Sequence, residues 1–307
     1  METKKIQKFY KFNKKQRDSA FVWLMLAPSI VAWLIFYFYV NIDAFTLAFR
    51  VPFGGEIRWG FDNFTRMIED FANASGDLGV ALQNTFLYFF AGQFISFPIS
   101  FALSFFMYKK IAGFRVFRVI FYLPSIIAST VLVILFKYLI NDMSGPIAPI
   151  YEGITGERFP ALLYSSTTAT PTILFYTITF GLGGSLVMHS GAMSAIDPGL
   201  IEAAHIDGAG MWTEAIRIVV PMMWPTLSVQ ILFNVIGIFG SSGPVMAFLP
   251  GAEYDTYTLN YWLYRQVQYY GSYYYSSAVG MSMTFVSLPL VLFVRWLLDR
   301  GFTDNTQ

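Results

Sequence analysis

Six apolar runs divide this chain, at residues 19–42, 79–108 and 119–140, from about 161, from about 218, and at 272–294. Each is long enough to cross a membrane, since about 20 residues span the hydrocarbon core. Lipid offers no water to backbone N–H and C=O groups, so such runs are read as helices. The fold class that follows is an all-α integral membrane protein with six transmembrane helices. Composition agrees: 55% of the residues are hydrophobic and 13% charged, where a soluble domain carries roughly a quarter charged.

The stretches between the runs set topology. Residues 1–18 form a basic tail holding Lys4, Lys5, Lys8, Lys11, Lys14, Lys15 and Arg17, read as a solvated cytosolic segment. The first run lacks the short core and small-residue cleavage site of a secretory signal, so it is read as an uncleaved span. Six spans place both termini on one side. With the termini in the cytosol, the inner segments carry 14 Lys and Arg and the outer segments 6, which satisfies the positive-inside rule. One inner loop fits that rule poorly. Between the fourth and fifth runs, Asp197, Glu202, Asp207 and Glu214 face only Arg217. Alternation, not its own charge, places this loop inside, and its acidity favours a specific partner. The expected organisation is a tail over 1–18, a membrane domain over 19–300 with the acidic loop at 197–221, and a cytosolic tail over 301–307.

The acidic loop has a helical design of its own. Asp197 can cap a helix that Pro198 starts. That helix is expected to reach about His205, with Gly208 supplying the stop or turn. A second short helix is expected through Trp212 and Ile216. The sequence from 202 reads EAAHIDGAGMWTEAIRIVVP. Glu202, Ala203 and Ala204, then Gly208 after three residues, then Ile218 and Pro221, resemble the EAA loop of binding-protein-dependent ABC importer permeases. Every spacing is kept, and only the leucine of I-x-L-P is replaced, by Val220. Asp207 and Ala209 complete the D-G-A form of the sugar-permease branch. Residues 114–142 and 258–281 are similar to stretches of that branch in the expected order. Within it the chain is similar to the first permease subunit of maltose-, lactose- and glycerol-phosphate-type importers.

The resemblance implies the type I ABC importer permease architecture, in the bacterial cytoplasmic membrane with N- and C-termini cytosolic. It implies a cytosolic coupling helix that docks in a cleft of a separate ATPase, with Glu202, Ala203, Ala204, Asp207, Gly208, Ala209, Ile218 and Pro221 as the coupling residues. It implies four partners: a second permease subunit, two ABC ATPase subunits that bind the ATP, and an extracytoplasmic solute-binding protein. The solute it implies is a carbohydrate, with an oligosaccharide preferred. Small Ala203, Ala204 and Ala209 suit close seating in a cleft. Glu202 and Asp207 can pair with basic ATPase residues or cap helices inside the loop.

Catalytic patterns are missing. There is no G-x-x-x-x-G-K-[ST], no H-E-x-x-H and no G-x-S-x-G, so neither phosphate cradle nor hydrolase centre is expected. No cysteine is present, which removes disulfides and thiolate chemistry. Two histidines, His189 and His205, are too few for a histidine metal cluster. No metal or cofactor is expected, and the near-neutral charge gives no nucleic-acid signal. His205 is placed on the coupling surface, and His189 is read as interfacial.

On the fifth span, Gln230, Asn234, Gly237 and Ser241 recur at spacings of four, three and four, which puts them on one helical face. Such a face either lines a solute path or packs another helix. Gly181, Gly183, Gly184 and Ser185 fit close helix packing better. Residues 254–275 hold nine tyrosines and Trp262, read as an interfacial belt, a carbohydrate path, or a contact for the binding protein. The competing function is a self-contained secondary transporter of a small polar solute. It would need an intramembrane ion or proton site, and no acid falls inside the runs.

Overall fold

The computed structural model describes residues 14–73, 76–249 and 253–303; most of the basic tail lies outside them. Helix α1 (Lys14–Trp33) passes through a π-helical stretch, Leu34–Tyr39, into α2 (Val40–Ala48). Residues 18–43 are exposed along their whole length, as a lipid- or partner-facing span would be. A hairpin of β1 (Arg50–Phe53) and β2 (Glu56–Trp59) and the helix α3 (Asp62–Ala72) follow. The hairpin is antiparallel, with Arg50 opposite Trp59. Asn63 pins its base by donating to the carbonyls of Ala48 and Arg50, at 2.9 and 3.0 Å.

The second span is α4 (Asp77–Ala91), a π-helical stretch Gly92–Ser96, and α5 (Phe97–Tyr108). The third apolar run departs from expectation. It is not one straight helix but two, α6 (Phe114–Ile126) and α7 (Ser129–Leu139), bent by 110°. Ile127 and Ala128 are extended between them, and Pro124 sits inside α6. Proline removes an internal hydrogen bond and crowds the preceding turn, so the chain leaves the helix just beyond it. Helix α8 (Ile147–Thr155) caps the following loop.

The fourth span starts later than its apolar run, because Ser165, Thr167 and Thr168 bond locally in turns. It consists of α9 (Ala169–Phe180) and α10 (Leu182–Ser194). Gly183 lies against α6: a Cβ there would meet the Ser125 side chain at 2.5 Å, so close packing of this glycine is realised. Gly184 has nothing comparable within 4 Å. Next comes the short helix α11 (Pro198–Ile206). The fifth span is α12 (Met211–Glu214), a π-helical stretch Ala215–Val219, and α13 (Val220–Ile236). After α14 (Val245–Phe248) and α15 (Leu259–Gln268), the last span is α16 (Tyr273–Thr303). Among the described residues, five helices are long and apolar enough to cross a membrane, and the bent pair makes a sixth.

Two main cores hold the bundle. The larger joins Leu78, Val133, Phe136, Ile173, Tyr176, Phe248 and Leu259. Tyr257, Tyr261, Trp262 and Tyr275 belong to it, each at most 4% exposed. Three of the nine tyrosines of this segment, with Trp262, are therefore protein core rather than belt. The Tyr257 hydroxyl donates to Asp77 at 3.1 Å, and burial together with that carboxylate pushes its pKa up, so it stays a neutral donor. Tyr254, Tyr264, Tyr269, Tyr270 and Tyr273 remain exposed. The second core joins Phe105, Met193, Ile196, Ile201, Ala215, Val219, Met223 and Leu227. It ties the second, fourth and fifth spans to the elbow described next.

Candidate functional site: an elbow and a cavity

The elbow begins as its residues dictate. The Asp197 side chain accepts from the Gly199 amide at 2.9 Å, and Pro198 occupies the first turn, where its missing N–H costs nothing. The helix ends at Gly208, whose φ is +77°. The Gly208 amide bonds the His205 carbonyl at 3.1 Å and the Ala209 amide that of Ala204 at 2.9 Å. These satisfy carbonyls that a helix end leaves open. The second helix is where expectation gives way. It is not a separate short helix: α12 starts at Met211 and runs through the π-helical stretch into the fifth span. Pro221 cannot bond back into the preceding turn, and the adjacent widened turn accommodates that loss.

The expected coupling residues divide by exposure. Glu202, Ala203, Asp207 and Gly208 face outward. Ala204 is 8% exposed and turns inward beside Ile201. Ala209 is half-buried. Ile218 packs against the second core, and Pro221 is half-buried at the start of α13, so both shape the span rather than the outer surface. Glu202 has no ion pair or hydrogen bond among the described residues, so it is not an internal cap. Beside it, Ile206 is 87% exposed, with Trp212 and Ile216 also exposed. Exposed isoleucine and tryptophan around a small-residue helix make this an apolar, weakly acidic surface.

Sequence reading missed what lies beneath. Glu214, placed among the loop acids, is fully buried. Lys109 Nζ donates to both its carboxylate oxygens, at 3.0 and 2.8 Å. His205 Nε2 lies 3.0 Å from Oε2. Lys109 lies 105 positions earlier in the chain, at the C-terminal end of α5.

Inside the membrane domain, Asn234, Gly237 and Ser241 line one cavity of about 230 Å³, with Thr85, Tyr88, Gln93, Thr177 and Thr258 among its other walls. The face inferred from spacing holds only in part. Helix α13 ends at Ile236, so Gly237 and Ser241 reach the cavity from turns, not from helix. Gln230 is not on its wall; it is buried and donates to Ser185 at 2.7 Å. Asn234 donates to Gln93 at 2.9 Å. Thr177 and Thr258 come from other parts of the chain, beyond the reach of single-helix periodicity. His189 is likewise not interfacial but fully buried, 3.4 Å from Ser100 and edge-on to Phe97. The cavity wall is neutral: amides, hydroxyls, a tyrosine and phenylalanines, suited to a polar uncharged solute with apolar faces.

Comparison with known proteins agrees with this geometry. Residues 95–300 match the family described as binding-protein-dependent transport system inner membrane component. The arabinooligosaccharides transport system permease protein AraP of Bacillus subtilis is 23% identical, over 88% of this chain and 86% of that one. The polygalacturonan/rhamnogalacturonan transport system permease protein YteP of the same species is 26% identical, over 95% of this chain and 93% of that one. A chain from a bacterial alginate ABC transporter, crystallised with an alginate pentasaccharide-bound periplasmic protein, superposes with a TM-score of 0.81. It is 22% identical and covers 94% of this chain and 97% of its own, which establishes a shared fold.

Proposed function

The chain belongs to the binding-protein-dependent transport system inner membrane component family, and from that we propose that it is a permease subunit of an ABC importer for an oligosaccharide. In this reading a second permease completes the path, two ATPases supply the energy, and an external binding protein delivers solute. Both termini lie in the cytosol of the bacterial cell, and ATP is bound by the partners, not by this chain. The elbow carries the reading: a capped helix, a left-handed glycine, and Glu202, Ala203, Ile206 and Trp212 presented outward. Closure of the ATPases would move that elbow, and with it the ends of the second and fifth spans through the shared core.

The carbohydrate assignment rests on the relatives, which are described as permeases for arabinooligosaccharides and for polygalacturonan/rhamnogalacturonan, and on the neutral wall around Asn234, Gly237 and Ser241. Ring hydroxyls would bond the amides and threonines while the apolar sugar face lies on Tyr88 or Phe89.

The test is purification of the tagged chain after co-expression with its presumed subunits. Co-purification of an ATPase and a second permease is expected, with hydrolysis that rises when binding protein loaded with an arabinooligosaccharide or an oligogalacturonide is added. A chain that purifies alone, and accumulates solute in vesicles on an ion gradient without ATP, would instead be a secondary transporter.

A further inference from the structure

Lys109, Glu214 and His205 form a charged cluster at the root of the elbow, and each comes from a different element. Lys109 terminates α5 of the second span, His205 lies on α11, and Glu214 ends α12 of the fifth span. Glu214 is fully buried, the Lys109 side chain is 20% exposed and that of His205 50%. Lys109 Nζ also lies 3.2 Å from His205 Nε2. The imidazole fits in either state. With Nε2 protonated it donates to Glu214; with Nε2 bare it accepts from Lys109.

An apolar trio of similar volume would hold the elbow at least as firmly, because burying an ion pair costs desolvation that its attraction barely offsets. What a buried ion cluster adds to apolar packing is a directional requirement, since each charged group must stay opposite its partner. A buried carboxylate held by a lysine and an imidazole from two other elements cannot slide without losing its partners. It leaves a charge in a dry site if it does.

We propose that Lys109, Glu214 and His205 are a strut that makes the elbow and the cytosolic ends of the second and fifth spans move as one body. Glu214 is then a positioning residue for coupling, acting through the elbow without touching the ATPase or the solute. The inference rests on the reading of the elbow as the ATPase-coupling element.

The native chain has no cysteine, so spin labels can be placed without background. Labels at Ala112→Cys, beyond the end of α5, and Leu200→Cys, on α11, report the distance between the second span and the elbow in the assembled complex. With Lys109, Glu214 and His205 intact, one narrow distance is expected, unchanged between the nucleotide-free and ATP-bound states. Glu214→Gln should lose that single maximum in at least one state. The reversed pair, Lys109→Glu with Glu214→Lys, should regain it. A distance that shifts with ATP in the unaltered cluster, or stays narrow in Glu214→Gln, overturns the strut.

Should Glu214→Gln fail to assemble, the reversed pair is compared with the apolar pair Lys109→Met with Glu214→Leu. A narrow distance in the reversed pair alone supports the strut. The same distance in both, or assembly of neither, overturns it, since a strut made by pairing must tolerate its own reversal. Gly208→Arg separates the two claims: if that variant keeps its ATPase, the coupling reading falls whatever the labels show.

Discussion

The elbow and the cavity solve opposite problems with different chemistry. In the proposed function, the elbow must hold one shape while an ATPase pushes on it. It uses a side-chain cap, a glycine at φ +77°, and a buried ion cluster. The cavity, in the same proposal, must let a solute in and out. Its polar side chains are neutral and pair with one another, as Asn234 with Gln93, so each bond is modest and replaceable. Rigid transmission draws on charge and backbone geometry, and passage draws on amides and hydroxyls. The elbow should therefore be brittle to substitution and the cavity tolerant.

The first way to break that contrast is at Glu214. Glu214→Gln leaves Lys109 without its carboxylate, and thermal denaturation of the purified complex should show a loss of roughly 3 kcal/mol. A loss no larger than that of a cavity variant would erase the distinction. Next is the close contact between the third and fourth spans. Gly183→Val drives a side chain into Ser125, and about 2 kcal/mol of destabilisation is expected by the same assay. Smaller again is Asn84, which is buried beside the cavity and donates to the carbonyls of Asp255 and Tyr257 at 2.7 and 3.0 Å. Asn84→Leu leaves both acceptors short of a donor, for about 1.5 kcal/mol. The smallest effect belongs to the cavity itself. Asn234→Ala should cost under about 1 kcal/mol in stability, while half-saturation for transported oligosaccharide rises. A variant that unfolds the complex yet leaves solute affinity unchanged would reverse the roles given to the two regions.

What could be read from the sequence follows the distance over which each feature is encoded. Asp197, Pro198 and Gly208 act within one helical turn of themselves, and the capped helix and left-handed stop lie where the residues place them. The spans are legible because a membrane demands length and hydropathy alone. Pro124 was visible inside the third run, but a proline can kink a helix or end it, and only the extended Ile127 and Ala128 make it a 110° bend. Periodicity overreached at Gly237 and Ser241: it assumes a helix that Gly237 and Gly240 do not continue, yet turns carry both residues to the same cavity. The Lys109–Glu214 pair spans 105 positions, and no local pattern encodes which lysine an acid will meet. Tyr257, Tyr261 and Tyr275 were ambiguous for a different reason. An aromatic with a polar tip suits both a membrane interface and a core that offers it an acceptor.

The central claim is that the elbow delivers the ATPase stroke to the spans, and Gly208→Arg tests it most directly. Among the described residues, chain neighbours aside, nothing lies within 4 Å of a Cβ at position 208 and the residue is exposed, so the added side chain projects outward. The left-handed φ costs about 1 kcal/mol for a residue with a Cβ, and the fold should survive. The measurement is ATPase retained by the tagged chain, with and without the substitution, in membranes where both forms insert equally. Loss of the ATPase, or of solute-stimulated hydrolysis, is the predicted result. Retention of both at the level of the unaltered chain would contradict the account and leave the elbow as a loop between two spans.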